Sequence, residues 1–254
     1  MCSIGHAIDV TGERICLADI DVVILAGGLG TRLRPVLSAK PKVLAPVGDR
    51  TFLDILLDRL AGFGAKRVIL ALGHLAGEVE AYLAGHPRPD MKVQCFIEPA
   101  PLGTAGAVRF VRPHIQSKTV LVLNGDSLVD ADLCAFVATH CAGGAVGTLL
   151  CARVADTARY GTVVIDAAGR IADFREKTGQ IVPGIINAGA YLMESALLDK
   201  IVESSGPSLE RDIFQVLPPG TLAGHSGDFP FLDIGTPEDL ARAGAFLARF
   251  KVGT

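Results

Sequence analysis

The sequence has no surplus of charge of either sign. Its 254 residues carry 24 lysines and arginines against 27 aspartates and glutamates, a formal charge of −3. Such a balance attracts neither nucleic acid nor an anionic membrane, so neither is expected as a partner. Long apolar runs are missing too: none approaches the roughly 18 residues that a membrane span needs. Residues 1–6 lack a basic segment followed by an apolar block, and Asp9 and Glu13 interrupt the residues after them, so export is not expected and the reading is cytoplasmic. No C-x-x-C occurs among Cys2, Cys16, Cys95, Cys134, Cys141 and Cys151, most of which stand in apolar stretches; buried, reduced thiols are expected. The six histidines show no H-x-x-x-H spacing and read as structural. Internal repeats and low-complexity linkers are absent.

What is present is half apolar, enough for a substantial core, and rich in glycine, with 29. Residues 22–26 form a β-branched run stopped by Gly27-Gly28. Phe52, Ile55, Leu56, Leu60 and Phe63 recur at helical spacing and predict a helix over 52–63. Further strands are predicted over 67–72, 93–97, 120–123 and 145–152, with helices over 75–83, 104–111 and 131–140. Continuous Val/Ile/Leu runs without polar alternation are the mark of parallel strands buried on both faces. Their alternation with helices predicts a three-layer α/β/α sandwich around a Rossmann-like, mostly parallel mixed sheet. Ligands in such sheets bind beyond the carboxyl ends of the strands.

After residue 153 the rhythm changes. Segments 160–165, 171–174 and 185–193 are strand-like, with a turn at 166–169, and predict a small antiparallel insertion beside the sheet. A closing helix is predicted over 237–250, with Thr236 as N-cap, Pro237 at its first position and Glu238 and Asp239 in its first turn. The organisation expected is an N-terminal extension, 1–19, and one domain, 20–254. That domain divides into halves at 20–152 and 153–235 and ends in the helix 236–250.

The segment with most chemistry is Ala26-Gly27-Gly28-Leu29-Gly30-Thr31-Arg32-Leu33, directly after the first strand. Glycines there let successive backbone N–H groups approach a polyphosphate. Leu33 stands where a dinucleotide fingerprint needs its third glycine, and no Gly-Lys-Ser/Thr follows as in a P-loop. Arg32 and Lys42 add two cations beside this turn, which phosphoryl chemistry uses against transition-state charge. Asp126 and Asp233 each end an apolar run, and two carboxylates at strand ends are a pair suited to one Mg²⁺. Asp130-Ala131-Asp132 is formally the D-x-D of glycosyltransferases, but it opens a predicted helix, where acidic residues serve as caps.

The stretch 22–44, with G-G-x-G-T-R-L followed by Pro41-Lys42, resembles the signature of the sugar-1-phosphate nucleotidyltransferases. The similarity runs over roughly residues 21–250, through Glu98-Pro99, Leu102-Gly103-Thr104-Ala105-Gly106, Asn124-Gly125-Asp126, Tyr160-Gly161, Phe174-Arg175-Glu176-Lys177, Asn187-Ala188-Gly189 and Asp233-Ile234-Gly235. Val43 departs from it, standing where that family usually has a second proline. The resemblance implies Mg²⁺-dependent transfer of a nucleoside monophosphate from an NTP to a sugar 1-phosphate, with release of pyrophosphate. It assigns the nucleotide to Leu25, Ala26, Gly27, Gly28, Gly30, Thr31, Arg32, Glu98, Gly103 and Thr104, and the metal to Asp126 and Asp233. It assigns the sugar phosphate to Gly161, Glu176, Lys177 and Asn187, and the catalytic roles to Arg32, Lys42, Asp126 and Lys177, so the antiparallel insertion becomes the sugar-binding part.

By the same resemblance, Glu98 stands where many uridylyl and thymidylyl relatives carry glutamine. A carboxylate accepts from the adjacent N1–H and N2–H₂ donors of guanine, which points to GTP. Segments 185–191 and 231–239 are most similar to the D-glycero-α-D-manno-heptose 1-phosphate guanylyltransferases of bacterial surface-polysaccharide pathways, with mannose-1-phosphate guanylyltransferase next. No hexapeptide-repeat tail follows residue 250, which argues against the bifunctional acetyltransferase and ADP-glucose types. A non-catalytic nucleotide-binding module would typically have lost Arg32, Lys42 or a metal aspartate, and all are here. The apolar helix 52–63 suits a homo-oligomer contact as well as a core.

Overall fold

A computed structural model of the chain describes residues 15–37, 40–175, 177 and 179–248. In chain order the strands are β1 (Asp21–Ala26), β2 (Pro46–Val47), β3 (Arg50–Thr51), β4 (Arg67–Leu72), β5 (Lys92–Ile97), β6 (Thr119–Asn124), β7 (Ser127–Val129), β8 (Gly147–Val154), β9 (Thr162–Ile165), β10 (Ile171–Arg175), β11 (Gly184–Glu194), β12 (Leu222–Gly227) and β13 (Phe231–Asp233). The α-helices are α1 (Arg34–Leu37), α2 (Phe52–Gly62), α3 (Ala76–Gly85), α4 (Gly103–Val111), α5 (Leu133–Gly143), α6 (Ser195–Glu203) and α7 (Pro237–Leu247).

Strands β4, β1 and β6 lie side by side and parallel, with β5 parallel at the edge beyond β4. The whole sheet has nine strands in the order β10-β9-β11-β6-β1-β4-β5, with β8 also paired to β11 and β12 to β8. From β1 the chain moves outward to β4 and β5, then returns to the opposite side of β1 as β6. The connections that leave β1 and β6 therefore diverge, and a crevice opens beyond their carboxyl ends. The glycine loop follows β1, and Asn124-Gly125-Asp126 follows β6 at that crevice.

Side chains alternate across the sheet into two cores. Val22, Ile24, Val68 and Leu70 face α2, α3, α5 and α7, packing with Phe52, Leu56, Val79, Phe136 and Leu240. Val23, Ile69, Val120 and Val122 face the other way, onto Ala105, Val108 and Val111 of α4 and Leu197, Leu198 and Ile201 of α6. Each large apolar side chain so buried contributes about 1.5–3 kcal/mol. Helix ends are closed as their residues require: Thr51 and Asp54 form a capping box on α2, the Asp132 carboxylate caps α5, and Thr236 caps α7. Asp21, a buried charge at the start of β1, is held by Arg67 at 2.7 Å and by the Ser117 N–H at 3.0 Å.

Three expectations are modified. The predicted antiparallel stretch is present as β9, β10 and β11, but it continues the central sheet rather than lying beside it, because β11 pairs with both β6 and β8. Helix α5 starts at Leu133 instead of 131, since Asp132 spends its side chain on the N–H groups of Cys134 and Ala135. Cys16 and Cys134 form a disulfide across 118 residues, with Cα atoms 5.3 Å apart, so the expectation of reduced thiols does not hold for this pair. Cys95 and Cys151 are free. Residues 1–14 of the predicted extension lie outside the described residues, as do Glu176 and Phe250.

Candidate active site

Two adjoining cavities, of about 290 and 450 Å³, occupy the crevice beyond β1 and β6; Gly103, Thr104, Asn124 and Asp126 line both. The smaller one is bounded by Leu25 of β1, by Gly27, Gly28 and Leu29 from the glycine loop, and by Glu98 and Leu102. Ala26, Gly30 and Thr31 belong to the same loop but line neither cavity. Gly30 instead adopts φ +56° beside Lys42.

Glu98 directly follows β5 and is 7% exposed. Burial pushes its carboxyl above the usual glutamate value, and the Leu102 N–H donated to Oε2 at 3.2 Å works partly against this. Gly27 leaves the room that the carboxylate needs, because a Cβ there would stand 2.5 Å from Glu98 Oε1. The neighbouring atom is a side-chain tip, so Gly27→Ala is expected to displace the carboxylate rather than unfold the loop. We expect the KM for the nucleotide to rise about tenfold with the melting temperature nearly unchanged, a lost charge-assisted hydrogen bond being of that size. Steady-state kinetics and a thermal melt on one preparation check this. Gly103 opens α4 with φ +74°, and a Cβ there would meet the Pro207 carbonyl oxygen at 2.4 Å, so only glycine fits.

The larger cavity gathers five cations, Arg32, Lys42, Arg159, Lys177 and Arg211, around three carboxylates, Asp126, Asp233 and Glu210. That excess of positive charge suits a polyanionic ligand. The two aspartates meet through a small separate sheet. β13 runs antiparallel to β7, placing Asp233 opposite Ser127, and the Ile234 N–H donates to the Asp126 carbonyl at 2.9 Å. Lys42 Nζ lies 2.6 Å from Asp126 Oδ2 and 3.8 Å from Asp233 Oδ1. Burial first, and then the Asp126 charge, raise the Asp233 carboxyl, against the opposing pull of Lys42 and Arg159.

The Oδ1 of Asp233 is buried and has no hydrogen-bond partner, which is an acceptor left for a cation. Among the described residues no group of three or more His, Cys, Asp or Glu side chains is arranged to hold a metal. Two carboxylates alone fit Mg²⁺, which completes its octahedron with water and phosphate oxygens rather than an all-protein cage.

Gly161, Lys177 and Asn187 all line the larger cavity, while Glu176 lies outside the described residues. A β-bulge between Asn187 and Ala190 re-aims β11 there, with Gly189 at φ +76°. The Gly189 N–H donates to Asn187 Oδ1 at 3.0 Å and the Asn187 N–H to the Gly161 carbonyl at 2.9 Å, so the amide and the Gly161 backbone are held together.

Several lining residues were not singled out from the sequence. Arg159 is fixed by the buried Asp239 of α7 through contacts of 2.6 and 3.3 Å, a pairing between residues 80 apart that no local pattern announces. Ser208, Glu210 and Arg211 come from a segment to which no role was assigned from the sequence. Phe231 packs edge-on against Tyr160, their ring centroids 5.2 Å apart, and forms an apolar wall.

The chain matches the family profile described as "Nucleotidyl transferase" over residues 21–249. It is 35% identical to a mannose-1-phosphate guanylyltransferase of Mycobacterium tuberculosis over 91% of its own length and 65% of that protein. The chain thus spans less than two-thirds of that relative's length. It is 33% identical to a D-glycero-alpha-D-manno-heptose 1-phosphate guanylyltransferase of Aneurinibacillus thermoaerophilus, covering 88% of this chain and 96% of that one. Among solved structures, HddC from Yersinia pseudotuberculosis superposes with a TM-score of 0.80 at 31% identity, over 89% of this chain and 98% of that chain, and is also known complexed with GMP-PN. The chain therefore belongs to the nucleotidyl transferase family.

Proposed function

We propose that the chain transfers GMP from GTP to a sugar 1-phosphate and releases pyrophosphate. The observation that carries this reading is Glu98, a buried carboxylate on the wall of the smaller cavity, at the carboxyl edge of the sheet and against the glycine loop. Guanine presents two adjacent donors, N1–H and N2–H₂, and a carboxylate accepts from both where a side-chain amide does not. The relatives named guanylyltransferases, and the GMP-PN complex of HddC, support the same base.

The phosphates then run from the smaller cavity, beside the glycine loop, to the larger one, which takes the sugar. Arg32 and the N–H groups of the glycine loop hold the β- and γ-phosphates. Lys42 bridges the α-phosphate and the incoming phosphate, and Lys177 holds the sugar phosphate. Asn187 and the Gly161 backbone orient the sugar hydroxyls. An attacking phosphate oxygen is already anionic, so no side chain has to remove a proton and no covalent enzyme intermediate is needed. What remains for the protein is in-line positioning and charge neutralisation. Asp126 and Asp233 would hold Mg²⁺, which supplies Lewis-acid neutralisation of phosphate charge when bound. GTP is a cytoplasmic substrate, and a cytoplasmic location goes with this reading.

For the acceptor we propose D-glycero-α-D-manno-heptose 1-phosphate, on the similarity of segments 185–191 and 231–239. Mannose 1-phosphate is the second reading, favoured by the mannose-1-phosphate guanylyltransferases at 35% and 34% identity. The two acceptors differ by one hydroxymethylene, a difference worth about 1–3 kcal/mol in a shaped pocket. The test is pyrophosphate release with Mg²⁺, crossing GTP, ATP, CTP, UTP and dTTP with heptose, mannose and glucose 1-phosphates. The strongest signal is expected from GTP with the heptose. Preference for mannose would select the second reading, and release with UTP or dTTP alone would overturn the assignment of the base.

A further inference from the structure

Glu210 sits in a single wide, π-type helical turn, Leu209–Phe214, on the wall of the larger cavity. Such turns are rare and frequent at functional sites. Three hydroxyl groups donate to its two oxygens. Tyr191 Oη reaches Oε1 at 3.1 Å, while Thr104 Oγ1 and Ser208 Oγ reach Oε2 at 3.1 and 3.0 Å. Among the described residues no ion pair to Glu210 is formed, so its charge is balanced by aimed hydroxyl dipoles. Tyr191 is completely buried, and burial together with the Glu210 charge holds its phenol well above the ordinary value; it remains a donor at every working pH. That phenol oxygen accepts in turn from Asn187 Nδ2 at 2.8 Å. Thr104 Oγ1, while its O–H donates to Glu210, accepts from the Leu209 N–H at 2.8 Å.

These bonds run without a break from Asn187, on the sugar side, to Thr104, which borders both cavities. We propose that Glu210 is a positioning residue for the transfer: through Tyr191 it sets the Asn187 amide, and directly it sets Thr104 at the start of α4, so that acceptor and nucleotide are held in mutual register. The inference rests on the two-substrate reading above. An amide replaces this carboxylate poorly, because its N–H₂ group would force at least one of the three hydroxyls from donor to acceptor. Satisfied networks of this kind fix one geometry, and removing a member leaves its neighbours free to turn.

The variants Glu210→Gln, Glu210→Asp and Tyr191→Phe separate the two branches. Glu210→Gln is expected to raise the KM of both substrates about tenfold, the size of a lost hydrogen bond to a charged group. Glu210→Asp, which keeps the acceptor, recovers part of that loss. Tyr191→Phe cuts only the sugar branch, so the KM of the sugar 1-phosphate rises while that of GTP stays within about twofold, the normal scatter of an additive background. In the double variant Tyr191→Phe/Glu210→Gln the sugar effect is no larger than in Glu210→Gln alone.

Calorimetric titration of GTP alone, without transfer, provides an independent arm: Glu210→Gln weakens binding and Tyr191→Phe does not. Melting temperatures that fall while both KM values and the GTP affinity stay at wild type would overturn the proposal and leave a structural network only. Wild-type protein that binds GTP but transfers it to no sugar 1-phosphate would overturn the functional reading instead, and the calorimetric comparison would still decide the link from Glu210 to Thr104.

Discussion

Asp126→Asn is expected to lower kcat by about 10²- to 10³-fold, the several kcal/mol that a metal supplies to a phosphoryl transition state, with the fold intact. The substitution keeps the shape of the side chain and the backbone link from Ile234 N–H to the residue 126 carbonyl. It removes the charge that Lys42 approaches at 2.6 Å, but that pair is partly open to solvent, at 19% and 38% exposure, and such pairs contribute only about 0–1 kcal/mol to stability. Activity and stability should therefore separate. Asp233→Asn should act alike on kcat, since its Oδ1 is buried and makes no hydrogen bond. If the two carboxylates hold the ion, activity in both variants should need more Mg²⁺ to saturate, and a Mg²⁺ titration at fixed GTP and sugar 1-phosphate reads this directly. A kcat within about fivefold of wild type in Asp126→Asn, with an unchanged Mg²⁺ requirement, would overturn the metal assignment, because several kcal/mol leave no room for it.

Much of this site was legible because its determinants are local. The run 22–26 stopped by two glycines places a strand and a glycine-rich turn within a dozen residues, and Asp126 falls just past a buried apolar strand, β6. Such patterns follow from burial on both faces of a parallel strand and need no knowledge of partners. Glu210 was not legible: no motif marks Ser208-Leu209-Glu210-Arg211, and its meaning comes from Tyr191 and Thr104, which are 19 and 106 residues away. Arg159 acquires its place from Asp239, whose signal in the sequence was fully accounted for as a helix-start acid. The Cys16–Cys134 disulfide is a third case, since only the packing of the segment before β1 against α5 brings the two residues together. The antiparallel strands were visible as strands, yet their membership of the central sheet depends on a pairing between β11 and β6 that alternation cannot reveal.

Glu98→Gln is expected to reduce kcat/KM for GTP by about 10²-fold, one hydrogen bond to a charged acceptor being lost and the amide N–H₂ being set against guanine's second donor. UTP should lose little, so the GTP-to-UTP ratio collapses even where absolute rates with UTP stay low. The carboxylate also predicts a pH dependence, and its sign follows from burial. Glu98 is raised above the ordinary glutamate value by desolvation, only partly offset by the Leu102 N–H. The ionised form accepts from guanine. On acidification the protonated form turns from acceptor to donor, and nucleotide affinity falls as the pH drops through that raised value, while above it affinity is flat. The KM for GTP should thus climb on the acid side earlier than an ordinary glutamate would allow. In Glu98→Gln, which does not titrate, this acid limb should disappear. Unfolding midpoints at each pH separate the effect from acid denaturation, which acts through carboxylates elsewhere in the fold. An acid limb of equal size in both proteins, together with an unchanged GTP-to-UTP ratio, would remove Glu98 from the base pocket and take with it the observation on which guanine recognition rests.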